Sequence, residues 1–226
     1  MKRRIVLSLF LVFTFSILFA QNKEYFYGSI TGGLSIMNEL HEEWNNDKLN
    51  QTAGLSYSVK PGLLFGAKLG FVPKAAKNYL ALEIEYYYQN NKLDVASSTG
   101  FVAGTTVIPG FSGKLTNSGV AFHSFFFNVL ARLPEGKIHP YAGIAPGFTI
   151  SDVKFSEEPY FAESGSDTKF SYQFIVGVDY DISPKISVGA AYKFFKTRPK
   201  ITWANGTYSY YDPISNNIFV DLKYYF

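Results

Sequence analysis

From about residue 25 to the end of the chain, apolar and polar side chains alternate in short runs separated by Gly, Pro, Asn, Asp and Ser. A period of two puts successive side chains on opposite faces of a strand, and no stretch carries the spacing of a sustained helical stripe. The pattern predicts eight strands, at roughly 25–37, 58–72, 79–91, 119–133, 138–154, 169–182, 186–196 and 216–226. The links between them alternate in length. Short turns are expected at 73–78, 134–137 and 183–185, and long polar loops at 38–57, 92–118, 155–168 and 197–215. Short turns at one end and long loops at the other, with the chain starting and finishing at the short end, are what an up-and-down transmembrane barrel produces. A soluble meander has no reason to sort its connections in this way.

The two faces follow from asking which parity stays apolar, because Arg or Lys near a bilayer centre costs about 2–4 kcal/mol on the lipid side of a barrel. In the last strand Ile218, Val220, Leu222, Tyr224 and Phe226 share one parity, and Asp221 and Lys223 fall on the other. The sixth sets Phe170, Phe174, Val176 and Val178 against Gln173 and Asp179, and the third sets Leu82, Ile84 and Tyr86 against Glu83 and Glu85. Lys68 in the second, Arg132 in the fourth and Lys193 in the seventh also oppose apolar rows. Parity alone does not say which face is inside. Aromatic clusters at strand ends, Tyr25-Phe26-Tyr27, Tyr86-Tyr87-Tyr88 and Tyr224-Tyr225-Phe226, fit rings at the lipid headgroups and favour an apolar exterior.

Residues 1–20 combine Lys2-Arg3-Arg4 with an apolar run over 5–19 and then Ala20, the layout of a secretory signal peptide. Cleavage is expected after Ala20, although Leu18 is not the small residue usual two positions earlier, and residues 21–226 then form one barrel domain. The apolar run is short of the ~20 residues a spanning helix needs, and no longer one follows. Charged residues make up 17% and aromatics 18% of the chain, where a soluble protein is about a quarter charged. Much of the surface therefore faces something other than water. With no cysteine, disulfides, thiol nucleophiles and a lipoprotein anchor are excluded. The net charge of +3 resides in Lys2, Arg3 and Arg4, so no electrostatic case for nucleic acid remains.

Four segments resemble the small outer-membrane β-barrel superfamily that includes the OmpA transmembrane domain, OmpX and the Opa-like surface antigens. They are Tyr27-Gly28 to Gly33, Asn128 to Pro134, Pro140-Tyr141-Ala142-Gly143 and the strand-turn-strand Gly177 to Tyr192, and the alternating terminus Val220, Leu222, Tyr224, Phe226 also resembles that family's terminal assembly signal. The resemblance implies an exported, monomeric protein of the bacterial outer membrane, in contact with its lipid, whose terminal signal is read by the outer-membrane assembly machinery. Pro146 stands where that family continues with alternating glycines, and a mid-strand proline predicts a bulge in the fifth strand.

Eight strands enclose a lumen that side chains can fill, so an open pore is not expected. The predicted plug is a charge network of Lys68, Glu83, Glu85, Arg132, Asp179, Lys193, Asp221 and Lys223. Pairing between neighbouring strands is anticipated: Lys68 with Glu83 or Glu85, Arg132 with Glu85, and Lys193 with Asp221. The loops carry Trp44, Trp203, Tyr208, Tyr210 and Tyr211, a candidate binding surface for host or surface ligands. The resemblance also reaches lipid-modifying barrel enzymes, which need a lipid-facing Ser and His with a carboxylate or amide to orient the base. His123 and Ser124 are adjacent on a strand and point to opposite faces, His41 falls in the first long loop, and His139 lies beside a short turn where it is expected to be solvated. No catalytic residue, cofactor or metal site is assigned. The expected role is structural or adhesin-like, the alternative is a small ion or solute channel, and a lipid-modifying enzyme comes third.

Overall fold

The structure, a computed structural model, describes residues 25–37, 39–47, 51–103, 106–157, 161–204 and 206–226. The expected signal peptide, 1–20, lies outside the described residues. The described chain is almost wholly strand: β1 (Tyr25–Ile36), β2 (Glu39–Asn46), β3 (Gln51–Val59), β4 (Gly62–Val72), β5 (Leu80–Ala103), β6 (Thr106–Lys114), β7 (Gly119–Arg132), β8 (Ile138–Glu157), β9 (Phe161–Ser183), β10 (Ile186–Thr197), β11 (Lys200–Thr202), β12 (Tyr208–Tyr211) and β13 (Ile214–Tyr225). A single turn of 3-10 helix at Lys74–Ala76 joins β4 to β5.

Eight of these strands close a ring in the antiparallel order β1-β4-β5-β7-β8-β9-β10-β13, and β13 returns to β1. Each lies where the two-residue period put it. Closure satisfies every edge, which a sheet in lipid requires. The burial is inside out relative to a soluble protein. Leu63, Ile84 and Val220 are 65%, 66% and 62% exposed, whereas Lys68, Glu85 and Lys193 are 3%, 0% and 1% exposed. Phe170 and Tyr180 both point outward on β9, and between them the strand climbs roughly 33 Å at the usual rise. At a tilt of about 40° this is about 25 Å of height, the apolar band of an outer-membrane barrel.

The four long polar links are not loops. The described residues of 38–57, 92–118, 155–168 and 197–215 build a second tier of sheet on the far end of the ring. In this tier β12 pairs with β2, β2 with β3, β3 and β6 with the upper half of β5, and β8 with β9 up to the pair Glu157↔Phe161. Strands as long as β5 (24 residues) and β9 (23 residues) far exceed the 9–11 residues a membrane crossing takes. Their excess length is the wall of this cap.

Proline 146 makes no bulge. The β7–β8 ladder runs in one register on both sides of it, Phe126↔Gly147 and Val129↔Ile144, and only the two pairs between are missing. The β8–β9 ladder passes Pro146↔Tyr172 unbroken. Pro146 points outward, and the lost donor interrupts one ladder without inserting a residue.

Glycines on the luminal face let large rings lie flat against the wall. Gly70 stands opposite Tyr27 and Gly177 opposite Tyr141, and a Cβ at those glycines would sit 2.1 Å and 2.5 Å from the phenol rings. The interior is filled in two stacked layers. Tyr27, Leu64, Tyr87, Phe126, Tyr141, Phe195 and Phe219 pack within the ring. Met37, Leu40, Tyr57, Leu93, Phe122, Val153, Phe155, Ile201, Trp203 and Tyr211 pack within the cap.

Outer-membrane barrels keep short turns in the periplasm and long connections outside, which places Lys74 inward and the cap outward. The cysteine-free chain permits a direct check with single-cysteine variants and a membrane-impermeant maleimide. Arg198→Cys is expected to label on intact cells and Lys74→Cys only after permeabilisation; the reverse pattern refutes this orientation.

Candidate functional site

The lumen gathers the charges that parity assigned to it, but joins them differently. Lys193 on β10 bonds Glu85 on β5, strands diametrically opposite in the eight-membered ring. Lys68 on β4 reaches over β1 to Asp221 on β13 at 2.8 Å. Lys223 on β13 reaches over β10 to Asp179 on β9 at 2.7 Å and stands 3.8 Å from Glu83. Gly189 of β10 leaves the space for that crossing, since a Cβ there would meet Asp179 at 2.4 Å. The anticipated pairs between adjacent strands are therefore corrected. Lys68 does not take Glu83 or Glu85 even though Glu85 is its ladder partner, and Lys193 does not take Asp221. The lumen is narrow enough for Lys193 to span it, and Lys68 and Lys223 each pass over one strand to reach their carboxylates.

Arg132 does not join Glu85 either. It sits half-buried at the periplasmic end beside Tyr27, Tyr141, Asp179, Lys223 and Tyr225, with its Nε buried and without a protein partner. Three ammonium groups thus face four carboxylates, and neutral donors hold the excess. Tyr27 donates to Glu83 at 2.5 Å, Asn128 donates to Glu83 at 2.7 Å and Glu85 at 3.0 Å, and Gln173 donates to Glu85 at 2.9 Å. The rings add to this: Lys193 Nζ lies 4.2 Å above Phe219, and Lys223 Nζ lies 5.1 Å from both Tyr27 and Tyr141. Asn128 and Gln173 were legible as luminal by parity but not as the hub they form. Above them Ser124, Thr149 and Ser171 make a hydroxyl chain at 3.0 and 2.8 Å.

Removing one member of a fully buried pair leaves a bare charge, which costs about 3–5 kcal/mol, whereas removing both costs far less. Glu85→Gln and Lys193→Met are each expected to lower the unfolding free energy of the detergent-solubilised barrel by about that amount. The double variant is expected to recover most of it. Additive losses in this double-mutant cycle would show that the pair is not coupled.

Two of the candidate loop aromatics are interior residues of the cap. Trp203 is buried, donating from Nε1 to Ser209 at 2.9 Å, and Tyr211 is fully buried. They point inward because their strands alternate like those of the ring, a period hidden by the polar sequence around them. Trp44 is half-buried near the top of the cap interior. Tyr208 and Tyr210 remain on its outer face, where Lys200 Nζ lies 3.8 Å from the Tyr208 ring and Arg198 lies 5.3 Å from that of Tyr210. Arg198 also approaches Glu43 at 3.4 Å.

The histidines are dispersed. His123 faces outward against Tyr86 at 3.0 Å, while Ser124 faces the lumen. His139, expected to be solvated, is buried at 4% exposure, with its ring nitrogens 2.9 Å from the Leu133 carbonyl and 2.9 Å from Asp181. It shares the inward parity of Tyr141 and Ala145 on β8, which turns it into the lumen rather than toward solvent. Among the described residues no group of three or more His, Asp or Glu side chains could hold a metal ion. The outward terminal row Val220, Leu222 and Tyr224 is exposed, and the Phe226 ring lies 5.5 Å from that of Tyr224.

Within the cap, Glu42 accepts hydrogen bonds from Tyr57 and Ser209. Burial raises its carboxyl above the ordinary carboxylate range, although these bonds oppose the shift. A raised folded-state value means the native cap binds the proton more tightly than the unfolded chain. The associated stability is present below the unfolded value and is lost as pH rises through the folded value. Acidification from neutral pH toward the carboxylate range is expected to raise the melting temperature of the wild type, followed by Trp fluorescence. Glu42→Gln is expected to flatten that slope; an unchanged slope would show that another group carries it.

A closed antiparallel ring with a lipid-facing apolar exterior and a buried ionic interior defines a transmembrane β-barrel. A family profile described as outer membrane protein beta-barrel domain matches residues 6–226, and the chain belongs to that family, in the bacterial outer membrane. The structure is similar to that of the outer membrane protein OprG from Pseudomonas aeruginosa, with a TM-score of 0.60 at 13% identity over 88% of this chain and 95% of that one. It is also similar to the outer membrane protein AlkL in DMPC lipid bilayers, with a TM-score of 0.50 at 15% identity over 91% of each chain. No curated protein sequence matches the chain.

Proposed function

We propose that this barrel is a non-conducting surface protein with a structural and interaction role, which holds a rigid sheet outside the cell. The observation that carries this reading is the double closure of its axis. Ion pairs and aromatic rings cross the lumen within the membrane, and a second apolar layer, with Phe122, Phe155, Trp203 and Tyr211 at its centre, fills the cap above. An ion entering from outside would have to displace this apolar layer before reaching the ion pairs of the lumen. The contact surface in this reading is the outer face of β11 and β12, where Tyr208, Tyr210, Lys200 and Arg198 alternate cation and ring. Such a face suits a planar or sugar-like ligand presented at the cell surface. The chain acts as a monomer, and its outward terminal row, Val220, Leu222, Tyr224 and Phe226, is offered to the assembly machinery.

Reconstitution in planar bilayers tests the proposal. Wild type and Glu85→Gln are both expected to give flat traces at all applied potentials. Stepwise currents in the wild type that change in size or selectivity in Glu85→Gln would replace this reading with a small channel.

A further inference from the structure

On the outer wall, β5, β7 and β8 lie side by side, and the outward residues of each cross-strand row are fixed by the two ladders they share. Starting in the hydrocarbon, successive rows read Tyr86↔Phe125↔Phe148, Tyr88↔His123↔Ile150, Asn90↔Ala121↔Asp152 and Lys92↔Gly119↔Lys154. Within four rows the wall changes from wholly aromatic to cationic. Such a gradient marks the passage from acyl chains through the headgroup layer. In the last row glycine stands between two lysines, so the strip has a slot where the middle side chain would be. Neighbouring strands are about 4.8 Å apart, which sets the two lysine backbones roughly 10 Å from each other across that slot.

The slot opens into a recess of about 670 Å³, whose lining adds Lys60, Asp94 and Lys114 to Lys92, Asp152 and Lys154. The segment after β6 roofs it, through a Leu115 N–H donating to the Asp94 carbonyl at 2.7 Å and a Leu93 N–H donating to that of Ser118 at 3.0 Å. Lys60 is engaged by Asp94 at 2.7 Å. Asp152 lies 4.0 Å from His123. Lys92, Lys114 and Lys154 make no ion pair among the described residues, so three like charges share one cavity with a single free carboxylate. They repel one another, and a multiply charged anion relieves that repulsion. The volume falls within the range of small-ligand sites, and the recess is open outward and continuous with the lipid-facing surface below.

We propose that this recess binds the phosphorylated headgroup of an outer-leaflet glycolipid. Its phosphate lies between Lys92 and Lys154 over Gly119, Lys114 closes on it from above, and the acyl chains run down the row of Ile150, Phe148, Phe125 and Tyr86. Lysine is suited to this task, because it meets phosphate as a point charge from several directions. The site is independent of what the cap contacts, and depends only on the barrel standing in the outer membrane.

The test uses the full mature barrel refolded in phosphatidylcholine nanodiscs, loaded with bisphosphorylated lipid A, dephosphorylated lipid A or inorganic phosphate, and released for native mass spectrometry. Wild type is expected to retain bisphosphorylated lipid A at least ~tenfold more than the Lys92→Ala/Lys114→Ala/Lys154→Ala variant. It is also expected to retain it at least ~tenfold more than the dephosphorylated lipid. A charge-matched control, Lys74→Ala/Lys77→Ala/Lys137→Ala at the opposite rim, is expected to behave as wild type. The substituted lysines are all exposed, and heat-modifiable gel migration reports that each variant is folded. Equal retention by the recess variant, an equal loss in the control, or indifference to the lipid phosphates would overturn the proposal. Displacement of the lipid by millimolar inorganic phosphate would overturn it in favour of a free-phosphate site.

Discussion

The structure depends on keeping four carboxylates and three ammonium groups out of water inside a cylinder of eight strands. A charge buried without a partner is among the most expensive features a protein can carry, and lipid on the outside leaves these residues nowhere else to go. The narrow lumen makes the arrangement possible. A lysine on β10 meets a glutamate on the opposite wall, so the interior behaves as one cross-braced layer rather than a set of separate wall contacts. Tyr27, Asn128 and Gln173 complete it with neutral donors, while Arg132, at the periplasmic end beside Asp179, makes no ion pair with it among the described residues.

Each layer of the molecule follows from its solvent. Facing hydrocarbon, the ring presents an unbroken apolar row on every strand, and Pro146 is accommodated there because an outward side chain in lipid needs no particular shape. Facing water, the cap strands reverse the rule, with Leu40, Phe155 and Tyr211 inside and His41, Glu43 and Arg198 outside. The same strands β5, β8 and β9 obey both rules in turn, and the change of rule along them marks the outer membrane boundary. The lysine recess sits at that boundary, where the wall is neither fully apolar nor fully aqueous.

What the sequence made legible follows the same physics. Lipid tolerates few exceptions on the outward row, so the parity of Ile218 to Tyr224 or of Phe170 to Tyr180 could be read without ambiguity, and the eight ring strands with it. The ion pairs could not be read, because ladder adjacency says which residues are neighbours along the wall and nothing about who meets across the lumen. Lys68 and Glu85 are direct ladder partners and still bond elsewhere. The cap was hidden for a different reason. A segment such as Glu-Leu-His-Glu-Glu-Trp-Asn-Asn has poor strand propensity, and only its pairing with β3 and β12 makes it a strand. His139 reads as solvated because a short turn lies beside it, whereas its parity on β8 turns it into the lumen.

The β8–β9 hairpin keeps a single register from Ile138↔Tyr180 to Glu157↔Phe161, through the membrane and into the cap, with no residue inserted or lost. A hinge needs a break in pairing, and this hairpin contains none. The part of the cap wall built by β8 and β9 is consequently one piece with the wall inside the membrane, so a load on it passes into the barrel instead of being absorbed at a joint. A partner that meets the wall of this hairpin finds backbone with little freedom left to give up, and such preorganisation favours binding.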